Sequence, residues 1–326
     1  MNLEILWFVL IAVLWAGFFF LEGFDFGVGI LQFLLGKNEK ERGTYISAIT
    51  PHWGGNEVWL LTAGGAMFAA FPRWYATFFS AHYLPLVILV LALIARGVCF
   101  EIRHRSRVQK ICYACDITLA TSSFLIALLT SVAVANFAVG IPIDQNGNFA
   151  GNFFDLVQPP ALFGALLGLS LFITNGTLFL TLKIEGELQT RAYKISKIAI
   201  MINLILFTTA TFLTWERSLI FTVPLALIFV AVILVLCQCL KIAFFTIALC
   251  TASCVAGLFF FLYPYVLVSS VAENSLTIMN SASSDYTLKI MSIVAAVFVP
   301  IVLAYQIWSY YIFRKRISSR NVHSEV

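Results

Sequence analysis

The sequence predicts an all-α integral membrane protein with nine transmembrane helices. Three observations carry this. Of 326 residues, 61% are hydrophobic and 11% charged, against roughly a quarter charged in a soluble domain. The apolar residues gather into runs of about 20 or more, enough to cross roughly 30 Å of hydrocarbon. Lys and Arg sort to alternate connections between those runs, the pattern that sets membrane orientation.

In chain order the spans are 4–35, 52–71, 75–100, 114–138, 159–183, 196–215, 219–240, 242–264 and 288–313. The first is a span rather than a secretory signal, because its apolar run is long and has neither a basic leader nor a small-residue cleavage pattern. The seventh and eighth are separated only by Gln238 and Lys241. One set of connections holds Lys37, Lys40, Arg42, Arg103, Arg105, Arg107, Lys110, Lys183, Arg191, Lys194, Lys197, Lys241, Arg314, Lys315, Arg316 and Arg320. The other holds Arg73, Arg217 and Lys289, and Arg96 falls within a span. This bias places the N-terminus outside and the C-terminus in the cytoplasm, which needs an odd number of spans.

Residues 1–326 read as one polytopic membrane domain. The outside stretches 139–158 and 265–287 are too short to form another. The basic tail, 314–326, is expected to lie against anionic headgroups. No feature points to nucleic acid.

Polar residues inside the spans are the functional signal. Glu22 and Asp25 sit in the first span and Glu57 in the second. An intramembrane acid costs several kcal/mol unless paired or wetted, so it marks a functional interior by default. Glu22 and Asp25 are three apart and share a helix face. Two carboxylates so close in a low dielectric do not both ionise cheaply, so at least one is protonated or paired with a base. Gly23, Gly27 and Gly29 beside them allow a neighbouring helix or a ligand to come close. The plainer reading is that the glycines serve packing and the acids are structural partners of Arg96.

The second span opens Pro51-His52-Trp53-Gly54-Gly55-Asn56-Glu57, and Pro51 suits a first helical turn. Arg96 and Glu101 end the third span on the basic side, where Arg96 can pair with Asp25, Glu57 or Glu22. Arg103 and Arg105 read as ordinary positive-inside charge. His52 and His82 have no second His at helical spacing, and a satisfied core or capping role is the default for both. No metal ligand set is expected. Cys112-Tyr-Ala-Cys115 has CxxC spacing but no further ligands nearby, so the seven cysteines read as small packing residues. The absence of GxxxxGKS/T and CxxCH disfavours ATP hydrolysis and a covalently held haem. Asn175-Gly176 in the fifth span echoes Glu22-Gly23 in the first, as though spans one to four and five to eight were related units.

At these positions the chain resembles subunit II of the cytochrome bd-type quinol oxidases. The resemblance is carried by EGFDFGVGI at 22–30, PHWGGNEVWLLTAGGAMFAAFP at 51–72, RGVCFEIR at 96–103, GNFF at 151–154, MNSASSDYTLKIM at 279–291 and VPIVLAYQIWSYY at 299–311. It implies two four-helix bundles, 1–138 and 159–264, plus a ninth helix at 288–313. It implies a bacterial inner-membrane complex with a homologous subunit I, small single-helix accessory subunits and the quinol pool. Subunit I would hold the haems, b-type with d-type or b-type alone. The complex would oxidise quinol and reduce dioxygen to water, building a proton gradient without pumping. Subunit II alone would hold no catalytic residue and show no activity. It would brace its partner, help deliver cytoplasmic protons and, in some members, hold a structural quinone.

The expected proton path runs over Glu57, Glu101, Asp25 and Glu22, supported by Trp53, Asn56, Arg96 and His52. Many members carry Asp directly after the motif Trp, where this chain has Gly54, so Glu57 or a water near Gly54 is expected to substitute. The competing classes are a proton-coupled secondary transporter using Asp25 and Glu57, and a purely structural scaffold.

Overall fold

The computed structural model describes residues 2–214 and 219–317. Arg217, Arg320 and the tail beyond residue 317 lie outside the described residues. The chain is helical almost throughout: α1 (Leu3–Leu35), α2 (Glu39–Ile49), α3 (Trp53–Ala70), α4 (Pro72–Ala81), α5 (Tyr83–Arg105), α6 (Gln109–Val139), α7 (Pro159–Lys183), α8 (Glu187–Leu213), α9 (Leu219–Leu236), α10 (Leu240–Leu262), α11 (Ile278–Ser281) and α12 (Asp285–Ile312). Among the described residues, seven helices are long and apolar enough to cross a membrane: α1, α5, α6, α7, α8, α10 and α12. Helices α3 and α9 have 18 residues each, and the described apolar part of α9 runs Phe221–Leu236.

The sequence-predicted spans shift in two places. The run at 75–100 is not one helix. It breaks at His82 between α4 and α5, because Pro85 has no N–H for the Ala81 carbonyl and its ring crowds that oxygen. The sixth helix starts at Glu187, nine residues before the expected 196, because the polar segment ahead of the apolar run is also helical. The separation of α9 from α10 falls at Gln238, whose φ of 59° turns the chain.

Helix α1 is the central post. It spans 33 residues, about 50 Å at 1.5 Å per residue, and packs on α3, α6, α7 and α10. Gly27 of α1 and Gly176 of α7 meet backbone to backbone, and a methyl group on either would overlap the opposite helix. The Glu22-Gly23 and Asn175-Gly176 segments thus face each other at this crossing.

At the α2 end, Asp116 of α6 is fully buried and receives Arg42 at 2.7 Å and Arg103. Arg103 is therefore a buried-pair residue, not simple loop charge. Arg191 grips Glu41 through two nitrogens at 2.7 and 2.8 Å. The opposite end is closed by the loops around 139–158 and a two-stranded ribbon, β1 (Tyr265–Leu267) with β2 (Leu276–Thr277). Helix α12 stands apart. It rests on α1 and α3, and Leu288 is its one buried residue among those described.

Candidate functional site

The site is built where α1, α3, α5 and α12 converge. Glu22 and Asp25 of α1, Asn56 of α3 and Arg96 of α5 are all fully buried. Arg96 lies 3.6 Å from Glu22, which settles the three sequence alternatives for its nearest partner. At that length the pair is an ion pair without a direct hydrogen bond. The guanidinium also lies over the rings of Phe26 and Phe100, 4.9 and 5.1 Å from their centroids. Trp53 stacks on Phe100 and fixes that wall.

Asp25 is engaged from the other side. Asn56 Nδ2 donates to Asp25 Oδ2 at 2.7 Å and to the Leu21 carbonyl at 3.2 Å. Asn56 Oδ1 in turn accepts from the Tyr310 hydroxyl at 2.7 Å and Gln306 Nε2 at 3.3 Å. Glu57, half-buried on α3, is near enough for its charge to act on Glu22, Asp25 and Arg96. The hydrogen-bonding capacity of the cluster is far from filled. Both Glu22 oxygens, Asp25 Oδ1, Glu57 Oε2 and the three Arg96 side-chain nitrogens have no hydrogen-bond partner among the described residues.

His52 caps this region as a packed ring. It stacks on Tyr310 at 4.5 Å and 12° and meets Phe24, Phe179 and Phe313 edge-on. His82 is a satisfied core histidine, with Nδ1 3.0 Å from the Phe78 carbonyl and Nε2 3.2 Å from Asn136 Nδ2. No group of three or more His, Cys, Asp or Glu that could hold a metal occurs among the described residues. The cysteines are all free.

Glu101 is not part of the cluster. It is exposed on α5 and pairs with Arg105 at 3.4 Å one turn on. Gly54 is exposed too, and a side chain there would meet open space rather than the acids. Three residues escaped the sequence reading: Asp116, Gln306 and Tyr310. Asp116 carried a usable signal, an acid just inside the predicted span at 114–138. Gln306 and Tyr310 carried none, since their partner is some 250 positions away.

Fold and site together define a multi-pass helical membrane protein with an ionisable interior. The profile of the family described as cytochrome bd terminal oxidase subunit II matches residues 3–313. The chain is 40% identical to the cytochrome bd ubiquinol oxidase subunit 2 of Bacillus subtilis, covering 98% of each. It is 31% identical to the cytochrome bd-I ubiquinol oxidase subunit 2 of Escherichia coli K12, covering 99% of this chain and 98% of that one. A chain in the structure of bd oxidase from Geobacillus thermodenitrificans superposes with a TM-score of 0.75 at 16% identity, over 96% of this chain and 97% of that one. The chain belongs to the cytochrome bd terminal oxidase subunit II family, and so is a subunit of an oxidoreductase complex with a subunit I partner.

Proposed function

We propose that this chain is the haem-free subunit of a quinol:dioxygen oxidoreductase, and that it braces subunit I and helps carry cytoplasmic protons towards it. Subunit I would hold the haems and supply the electron transfer. The quinol assignment follows the relatives, which are ubiquinol oxidase subunits. The single observation that supports the proton role most is the buried Glu22–Asp25–Arg96 cluster, with half-buried Glu57 beside it, and its unfilled hydrogen-bonding capacity. Reduction of dioxygen to water consumes a proton with every electron. A carboxyl group donates when protonated and accepts when ionised, which suits it to pass those protons along. One guanidinium balances one carboxylate, so charge balance leaves room for mobile protons on the others.

The topology goes with this reading. Nine crossings, with α3 and α9 as the short ones, put the N-terminus outside and the α2 end, with its arginines, in the cytoplasm of a bacterial inner membrane. Helices α1 to α6 and α7 to α10 form the two bundles, and α12 is the added helix. Glu57 stands nearest the cytoplasmic start of α3 and takes the place of the acid missing at Gly54. Glu101, exposed on α5, is an outer collecting point rather than a link in the buried chain. A cavity of about 820 Å³ between α6, α7, α8 and α10 has an almost wholly apolar lining. Its polar edge includes Ser131, whose hydroxyl has no partner among the described residues. That lining fits the isoprenoid tail of a structural quinone, held by Phe163, Leu167, Phe207 and Leu258.

The test is oxygen consumption by the assembled complex carrying Glu57→Gln. Turnover is expected to fall roughly a hundredfold or more, the usual worth of a positioned acid–base group, with haem content unchanged. Normal turnover in a normally assembled complex would sink the proposal. A secondary transporter would instead move substrate without any partner subunit.

A further inference from the structure

Resting on the proton role proposed above, we infer that Trp59, Gln306 and Tyr310 form a positioning device that fixes the Asn56 amide and thereby the hydrogen-bond polarity at Asp25. Two groups around Asn56 cannot reverse: the Leu21 carbonyl, which only accepts, and the Trp59 indole. An indole N–H only donates. Trp59 Nε1 donates to Gln306 Oε1 at 2.8 Å, so the Gln306 amide must turn its nitrogen the other way. That nitrogen donates to Asn56 Oδ1 at 3.3 Å. The Tyr310 hydroxyl reaches the same oxygen at 2.7 Å. Asn56 Nδ2 is then aimed at Asp25 Oδ2 and the Leu21 carbonyl.

A flipped Asn56 would fail at both ends. Its nitrogen would face the Gln306 nitrogen, donor against donor. Its oxygen would face the Leu21 carbonyl and the Asp25 carboxyl, acceptor against acceptor unless Asp25 carries a proton there. The amide orientation, which spacing rarely settles in proteins, is set here from both ends, by the Leu21 carbonyl and by the chain of bonds that begins at Trp59. Asp25 therefore always receives a hydrogen bond at Oδ2, and Oδ1, with no partner among the described residues, is the oxygen left to take and release a proton.

Tyr310 adds rigidity. Its ring stacks on His52, which is buried among Phe24, Phe179 and Phe313. The hydroxyl is thus held by packing rather than by its own bond. None of these three residues needs to carry a proton. They act through Asn56.

The experiment uses the assembled complex, with haem content as the measure of assembly and a short-chain quinol as electron donor. Gln306→Met keeps the length of the side chain and removes both amide groups. It is expected to lower kcat roughly fivefold, the worth of about one ordinary hydrogen bond, to leave the quinol KM unchanged and to displace the pH profile of turnover. In an Asn56→Ala background the same substitution should do nothing further. An equal effect in that background would overturn the inference, because Gln306 would then act elsewhere. So would an unchanged kcat and pH profile in Gln306→Met while Asp25→Asn alters them. Unchanged turnover in Asp25→Asn would instead overturn the proton role itself, and the inference with it. If Gln306→Met does not assemble, Tyr310→Phe decides: a lowered kcat with a displaced profile supports the device, and parental behaviour overturns it.

Discussion

Between α1, α3 and α5 the chain gathers two buried carboxyl groups and a half-buried third around one guanidinium, with many of their polar atoms unbonded among the described residues. Between α7 and α8 it buries neutral groups and bonds them. Asn203 accepts from the Ser170 hydroxyl at 2.9 Å and donates to the Ser170 and Ala199 carbonyls and to Thr174. A neutral network satisfied by its own helices fixes packing and asks nothing of its surroundings. A charged cluster with spare donors and acceptors is stable only with protons or water to complete it. The contrast separates a half of the molecule that holds shape from a half suited to chemistry.

The strongest challenge to that contrast is Arg96→Met. It leaves Glu22 buried opposite no cation, and loss of one partner of a buried pair costs roughly 3–5 kcal/mol. The thermal unfolding midpoint of the detergent-purified complex should drop sharply, and adding Glu22→Gln should restore most of it. Parental stability in the single variant would mean the pair does not hold the first half together.

Asn203→Ala probes the neutral half. It removes the amide's bonds to Ser170 and Thr174, whose hydroxyls keep the Leu167 and Ser170 carbonyls as acceptors, and should cost roughly 0.5–1.5 kcal/mol, the worth of an ordinary hydrogen bond. Oxygen turnover per haem in the complex that does assemble should not change. A fall in turnover would erase the distinction between the halves.

The smallest expected effect sharpens the boundary at the α2 end. The Arg191 guanidinium holds the Glu41 carboxyl down at about 2 from its ordinary 4.5. A carboxyl held low contributes stability that is complete above about pH 4.5 and is lost as pH falls through about 2. The gap in unfolding midpoint between parent and Arg191→Gln should therefore narrow over that window. A gap constant across it would remove the electrostatic account of this contact.

Seven of the nine spans were legible as membrane-length helices, because long apolar runs are one-dimensional signals. So were Glu22, Asp25 and Glu57, since an acid in such a run stands out. The break at His82 was readable from Pro85 and was passed over because hydropathy runs through it. What was not legible is which side chain meets which. Spacing puts Glu22 and Asp25 on one face, yet they turn to different partners, Arg96 and Asn56. Glu57 and Glu101 look alike in sequence, and only packing sets one beside the cluster and the other in the open. Arg103 looked like loop charge because its partner Asp116 sits thirteen residues on, at the edge of another helix.

Helix α12 touches the bundle lightly, yet it brings Gln306 and Tyr310 to Asn56, 250 and 254 positions earlier in the chain. A ribosome releases those residues long after α1, α3 and α5 have been made. During synthesis the acids, the arginine and Asn56 all precede them, and the amide is held only from the α1 side, by Leu21 and Asp25. A chain stalled before the final helix would have nearly every membrane segment in place and an Asn56 oxygen still waiting for its two donors.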